Sequence, residues 1–97
     1  MMRVMARIQI PVDEGNRGIQ NGTLPKLVQQ FAERWSPEAM YFTTFDGRRT
    51  AYFVFEMPDS SSIPAFAEPF FMGLNAEVTL APVMNGEDLE KGLSQVG

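Results

Sequence analysis

Between Met40 and Met57, two runs rich in aromatic and β-branched residues flank Asp46-Gly47, the strongest short-range hairpin signal a sequence carries. A two-residue loop places Tyr41 opposite Tyr52 and Thr43 opposite Thr50. A four-residue loop changes the partners but keeps both tyrosines on one face, because side chains alternate with period two. The hairpin therefore fixes two strands, near 39–45 and 50–57, and divides their side chains into two sets.

Residues 3–10 alternate in the same way, with Val4, Ala6, Ile8 and Ile10 against Arg3, Met5, Arg7 and Gln9, and Pro11 ends the run. The segment from Asp13 to Gly22 holds three glycines and two asparagines, and is expected to be an irregular turn of helix or a loop. From Thr23, Leu24, Leu27, Val28, Phe31 and Trp35 recur at helical spacing until Ser36-Pro37, which predicts an amphipathic helix of about three turns. A second stripe, Ile63, Phe66, Ala67, Phe70 and Leu74, predicts another helix, interrupted by Pro69 and ended near Gly73. Asn75 to Val83 alternates again, and Asn85-Gly86-Glu87-Asp88 is suited to open a short tail helix to about Gly92.

The order β-α-β-β-α-β plus a tail is the split βαβ arrangement. Right-handed crossovers put both helices on one face of a four-stranded antiparallel sheet, so the expected class is α+β, ferredoxin-like, as a single domain over 1–97. The helix-facing set is Val4, Ala6, Ile8, Ile10, Phe42, Ala51, Phe53, Phe55, Val78 and Leu80. At 97 residues the chain buries about 60–65% of its unfolded surface, which suits two layers and excludes a large enclosed active site.

The opposite face mixes Arg3, Met5, Arg7 and Gln9 with Tyr41, Thr43, Tyr52, Val54, Glu56, Glu77 and Thr79. It is too apolar for a bare solvated surface and too charged for a dry core. Two copies packed sheet to sheet resolve the conflict, covering the tyrosines and letting Arg7 meet Glu56 or Glu77, so a homodimer is the expected assembly. Phe71 and Met72 fall off the stripe of their helix and are expected to be exposed on a lone subunit.

The chain contains no histidine and no cysteine. That excludes zinc or copper sites of ordinary composition, a thiol nucleophile, and a general base with an unperturbed pKa near neutrality. No cofactor is implied, and Glu87, Asp88 and Glu90 suit a helix start better than a metal. The net charge of −4 argues against a nucleic-acid surface. Arg49 to Phe55 loosely matches the third strand of an RNA-recognition module, but the first strand lacks a stacking aromatic. Arg3, Arg7, Arg48 and Arg49 are expected to be solvated or ion-paired. No apolar run suits a membrane span and the start is not a secretory signal, so the expected setting is cytoplasmic.

Arg7, Tyr41, Tyr52 and Glu56 form a candidate ligand-binding constellation, since an arginine anchors a carboxylate while a phenol donates or accepts a hydrogen bond; they serve equally as dimer contacts. Glu68 is the lone carboxylate in the apolar run Ile63 to Met72, and near aromatics its pKa would rise. One expectation has Glu68 and Arg7 bordering one pocket with Tyr41 or Tyr52. The other puts Glu68 on the outer face with Pro64 and Phe71. Trp35 is expected in the core.

The topology over residues 2–83 resembles the dimeric α+β barrel superfamily, which includes muconolactone isomerases and cofactor-independent monooxygenases. The strings Pro37 to Phe42, Asp46 to Tyr52, Ile63-Pro64, Glu68 to Phe71, Pro82 to Asn85 and Glu87 to Leu89 resemble an uncharacterised bacterial family within it. The resemblance implies a homodimer binding a small molecule between sheet and helices or inside the barrel, as a ligand-binding or structural module. A cofactor-independent isomerase or monooxygenase acting on a small aromatic or polyketide-like compound is the alternative it implies.

Overall fold

The computed structural model describes all 97 residues, Met1–Gly97. In chain order it contains β1 (Met2–Ile10), α1 (Val12–Gln20), α2 (Thr23–Trp35), β2 (Ala39–Phe45), β3 (Arg48–Met57), a 3-10 turn (Ser60–Ser62), α3 (Ile63–Leu74), β4 (Glu77–Pro82) and α4 (Gly86–Leu93). The strands form one antiparallel sheet in the order β2-β3-β1-β4. Both β1 and β3 are central, and the crossovers return through α2 and α3, which is the α+β ferredoxin-like arrangement.

The hairpin closes through two residues. Asp46 and Gly47 both have positive φ, 52° and 73°, the geometry that matches the right-handed twist of the flanking strands. Its register pairs Tyr41 with Tyr52, Thr43 with Thr50 and Phe45 with Arg48. The two-residue loop expected from Asp46-Gly47 is the one formed.

Burial follows strand parity. Val4, Ala6, Ile8 and Ile10 of β1 and Ala51, Phe53, Phe55 and Met57 of β3 are buried against Phe31, Phe66, Phe70 and Leu74 from the helices. At the centre the Phe31 and Phe53 rings stack with centroids 4.2 Å apart, and Phe55 and Phe66 meet Phe31 edge-on. Trp35 packs at the margin of this cluster, 5.5 Å from Phe55, with the Arg34 guanidinium over its ring. Val78 and Leu80 are only half-buried because β4 is an edge strand.

Three sequence expectations need correction. Val12–Gln20 is a regular nine-residue helix, where its glycines predict an irregular turn of helix or a loop. Gly15 and Gly18 are buried, and a Cβ on Gly18 would lie 2.8 Å from Leu74 Cδ2, so close packing here overrides their weak helix propensity. α3 ends at Leu74, close to the expected stop, but the capping residue is Asn75, whose φ is 50°, and not Gly73. A Cβ on Gly73 would lie 2.7 Å from Leu27 Cδ1, so this glycine lets α2 and α3 approach. Phe42 is 58% exposed although it lies on the helix-facing side, because the helices cover the two central strands and leave β2 open.

The tail helix α4 starts at a capping box, in which Asn85 accepts from the Asp88 N–H and Asp88 accepts from the Asn85 N–H. None of its residues is buried, and the chain extends 53 × 26 × 18 Å. No helix is long and apolar enough to cross a membrane.

Candidate functional site

The sheet separates two surfaces with different chemistry. On the face away from the helices, the pairing register sets Tyr41, Tyr52, Arg7 and Thr79 in one row across β2, β3, β1 and β4. Tyr41 is 69% exposed, while Tyr52 and Arg7 are half-buried. Arg7 runs diagonally to Phe45, its guanidinium 4.8 Å from the ring centroid, where it is held by a cation–π contact. Its Nε is buried without a hydrogen-bond partner, and Arg7 joins no ion pair. Thr50 and Gln9, neighbours in the adjoining row, are buried on this face.

Glu56 is exposed and sits opposite Arg3 in the register. Arg3 instead bonds Glu38 and Asp88, tying the start of α4 to the sheet. The Glu38 hydrogen bond raises the Arg3 guanidinium above its ordinary pKa, against an opposing desolvation and with help from the charges of Glu38, Asp88 and Glu56. At the other end of the face Arg48 lies 3.7 Å from Glu77. Arg7, Tyr41 and Tyr52 are thus brought together, and Glu56 stands apart from the guanidinium.

Glu68 does not join them. It is exposed on α3 beside exposed Pro64 and Phe71, on the helical layer, and within one chain the sheet lies between it and Arg7. The shared pocket expected for Glu68 and Arg7 is therefore absent from the single chain, and the outer-face placement is the observed one.

On the helix side, the uncovered part of β2 leaves a cleft of about 240 Å³. Its floor is Phe53, Ala51 and Ile8, its walls are Leu24 and Val28 of α2, and its lips are Phe42 and Ile19. Ten of its thirteen lining residues are hydrophobic, the others being Thr43, Thr50 and Arg49, its single charge. Arg49 shares the parity of Ala51, Phe53 and Phe55, which turns it under α1. There it donates to Asn16 Oδ1 at 3.0 Å and to the Val12 carbonyl at 3.4 Å. Arg49 is thus half-buried and bonded to neutral acceptors, where a solvated or ion-paired arginine is expected; its parity was the available signal, since it falls two residues before Ala51 on the buried side.

No family model matches this chain, and no curated protein matches it in sequence. Among solved structures it is similar to a de novo designed protein with a ferredoxin fold, determined by solution NMR: 15% identity over 89% of this chain and 88% of that one, with a TM-score of 0.47. The class is set by the strand order itself: a ferredoxin-like α+β sheet with one face clad in helices and one face bare.

Proposed function

We propose that this chain is a small-ligand-binding module that works as a homodimer, built as a dimeric α+β barrel of the kind its sequence strings resemble. The cleft beside β2 supports the ligand-binding part. It is an apolar concavity next to the core, and its lip Phe42 is a large aromatic left in water by a fold that buries every other strand phenylalanine of this parity. The homodimer rests on the bare face, where Met5, Tyr41 and Val54 leave apolar surface uncovered and Arg7 holds an inward Nε without a partner. A second copy packed there brings Glu56 or Glu77 of the partner subunit to Arg7 and makes Tyr41 and Tyr52 interface residues. The absence of cysteine suits a reducing, cytoplasmic setting.

Two measurements test the reading. Sedimentation velocity at micromolar concentration is expected to show a dimer for the wild-type chain and a monomer for Val54→Arg, with unchanged circular dichroism; a wild-type monomer overturns the assembly. Titration of the uncharged probe 3-phenylpropan-1-ol into ¹⁵N-labelled protein is expected to move the amides of Ile19, Phe42 and Ala51, and Phe42→Glu to abolish the effect. Unmoved cleft amides overturn the ligand site.

A further inference from the structure

The geometry points to the chemical class of the ligand: a compound with a short apolar or aromatic tail and one carboxylate, the tail lying between Phe42, Ile19 and Val28 and the carboxylate on Arg49. This rests on the cleft being a ligand site, as proposed above, and adds what that site selects.

Arg49 carries the argument. Arg3, Arg17 and Arg48 each have a carboxylate partner, Glu38 and Asp88, Glu14, and Glu77 respectively. Arg7, Arg34 and Arg49 have none. Arg7 and Arg34 lie over the rings of Phe45 and Trp35, whereas Arg49 borders the cleft and its two hydrogen bonds go to neutral acceptors, the Val12 carbonyl and the Asn16 amide oxygen. A guanidinium carries five N–H donors, so about three remain for a ligand. The nearest acidic residues of α1 do not compensate it: Glu14 pairs with Arg17, and Asp13 is exposed and forms no ion pair with Arg49. A full positive charge therefore borders an apolar wall with only dipoles to offset it, which favours an incoming anion.

The guanidinium is also directed by α1, through its bonds to Val12 and Asn16. A Cβ on Gly15 would lie 2.5 Å from Arg49 Nη1, so α1 can press against the side chain only because residue 15 has none. The arginine tip is bonded to α1 at the margin of the cleft, and its planar fork matches a carboxylate in two parallel hydrogen bonds. A phosphate is a poorer match, because the site offers one cation. The Thr50 hydroxyl is already engaged with the Arg48 carbonyl at 3.1 Å. Apart from Thr43 the remaining lining is hydrocarbon, which suits the tail and offers few partners to a sugar or nucleotide.

The experiment compares 3-phenylpropanoate with 3-phenylpropan-1-ol on the ¹⁵N-labelled full chain, following the amides of Gly15, Ile19 and Phe42 and the Nε–H of Arg49. The carboxylate is expected to bind at least about tenfold tighter, the worth of one charge-assisted hydrogen bond. Arg49→Met is expected to remove that difference while leaving the alcohol within about threefold of its wild-type affinity. Equal affinity of the two probes, with both moving the cleft amides, overturns the carboxylate assignment and leaves the cleft standing. Silence of the cleft amides with both probes overturns the two together, and shifts at Arg7 and Tyr52 in their place move the anion site to the other face and overturn this one. Should Arg49→Met unfold, the wild-type comparison of the two probes still decides.

Discussion

Gly15 and Arg49 occupy one space: the position of a Cβ on the helix residue lies 2.5 Å from the Nη1 of the strand residue. Gly18, one turn further along α1, stands in the same relation to Leu74 Cδ2 at 2.8 Å and to Leu24 Cβ at 3.2 Å. The two neighbours differ in how easily they yield. A guanidinium tip can swing away, whereas Leu74 is fully buried and Leu24 packs against the core.

Gly15→Ala is therefore expected to change stability by less than about 1 kcal/mol, since better helix propensity offsets the displaced arginine. Gly18→Ala is expected to cost about 1–3 kcal/mol by overpacking. Urea midpoints of the two variants check the ranking, which fails should Gly15→Ala prove the more damaging.

Phe42 and Phe53 lie in neighbouring strands with ring centroids 6.1 Å apart, yet one is 58% exposed and the other fully buried. Phe53→Ala is expected to cost about 3–5 kcal/mol, because it leaves a cavity beneath Phe31 and Phe70. Phe42→Ala is expected to cost about 1 kcal/mol or less. Chemical denaturation of both variants measures the gap.

The hairpin turn makes a backbone prediction. Nothing lies within 4 Å of a Cβ built on Gly47, so the cost of Gly47→Ala comes from its φ of 73° alone, about 1–2 kcal/mol. Asp46→Asn, at a φ of 52°, is expected to be neutral within about 0.5 kcal/mol, since asparagine tolerates the left-handed region. Thermal melts of the pair test whether conformation, and not contact, sets the cost.

Asp59 accepts hydrogen bonds from the Ser61 hydroxyl and from the Ser61 N–H, and these bonds, the hydroxyl first, hold its carboxyl below the usual aspartate range. A carboxyl depressed in the folded state contributes stability that is present above its unfolded pKa and disappears as pH falls through the folded one. The melting temperature of the wild-type chain is therefore expected to exceed that of Asp59→Asn at neutral pH. The difference is expected to close in acid, below the ordinary aspartate pKa of about 4. A constant difference down to about pH 2 would contradict the assignment.

Much of this architecture is legible in the residues. The alternation in β1 and β3, the stripes of α2 and α3, the Asp46-Gly47 turn and the Asn85 cap each express a local rule that the tertiary structure obeys. The failures share one cause. Gly15, Gly18 and Gly73 look like breakers in isolation and serve as contact points between elements, which no window of neighbouring residues reveals. The exposure of Phe42 likewise depends on where the helices lie across the sheet. For the site, parity put Arg7, Tyr41 and Tyr52 on one face correctly. Of the two placements left open for Glu68, the outer face with Pro64 and Phe71 is the one observed, since the sheet lies between it and Arg7. Arg49 carried the parity of the core and was overlooked for its charge.

The attachment of α4 has a consequence for the hydrodynamics of the chain. Its side-chain tie to the domain is the bond between Asp88 and Arg3, partly exposed and electrostatic, with no buried apolar contact behind it. Added salt screens such a bond while leaving the phenylalanine core untouched. The silhouette of the molecule is thus set by ionic strength at one end and by hydrocarbon everywhere else, so scattering profiles recorded from dilute to concentrated salt should diverge at the tail while the melting temperature stays put.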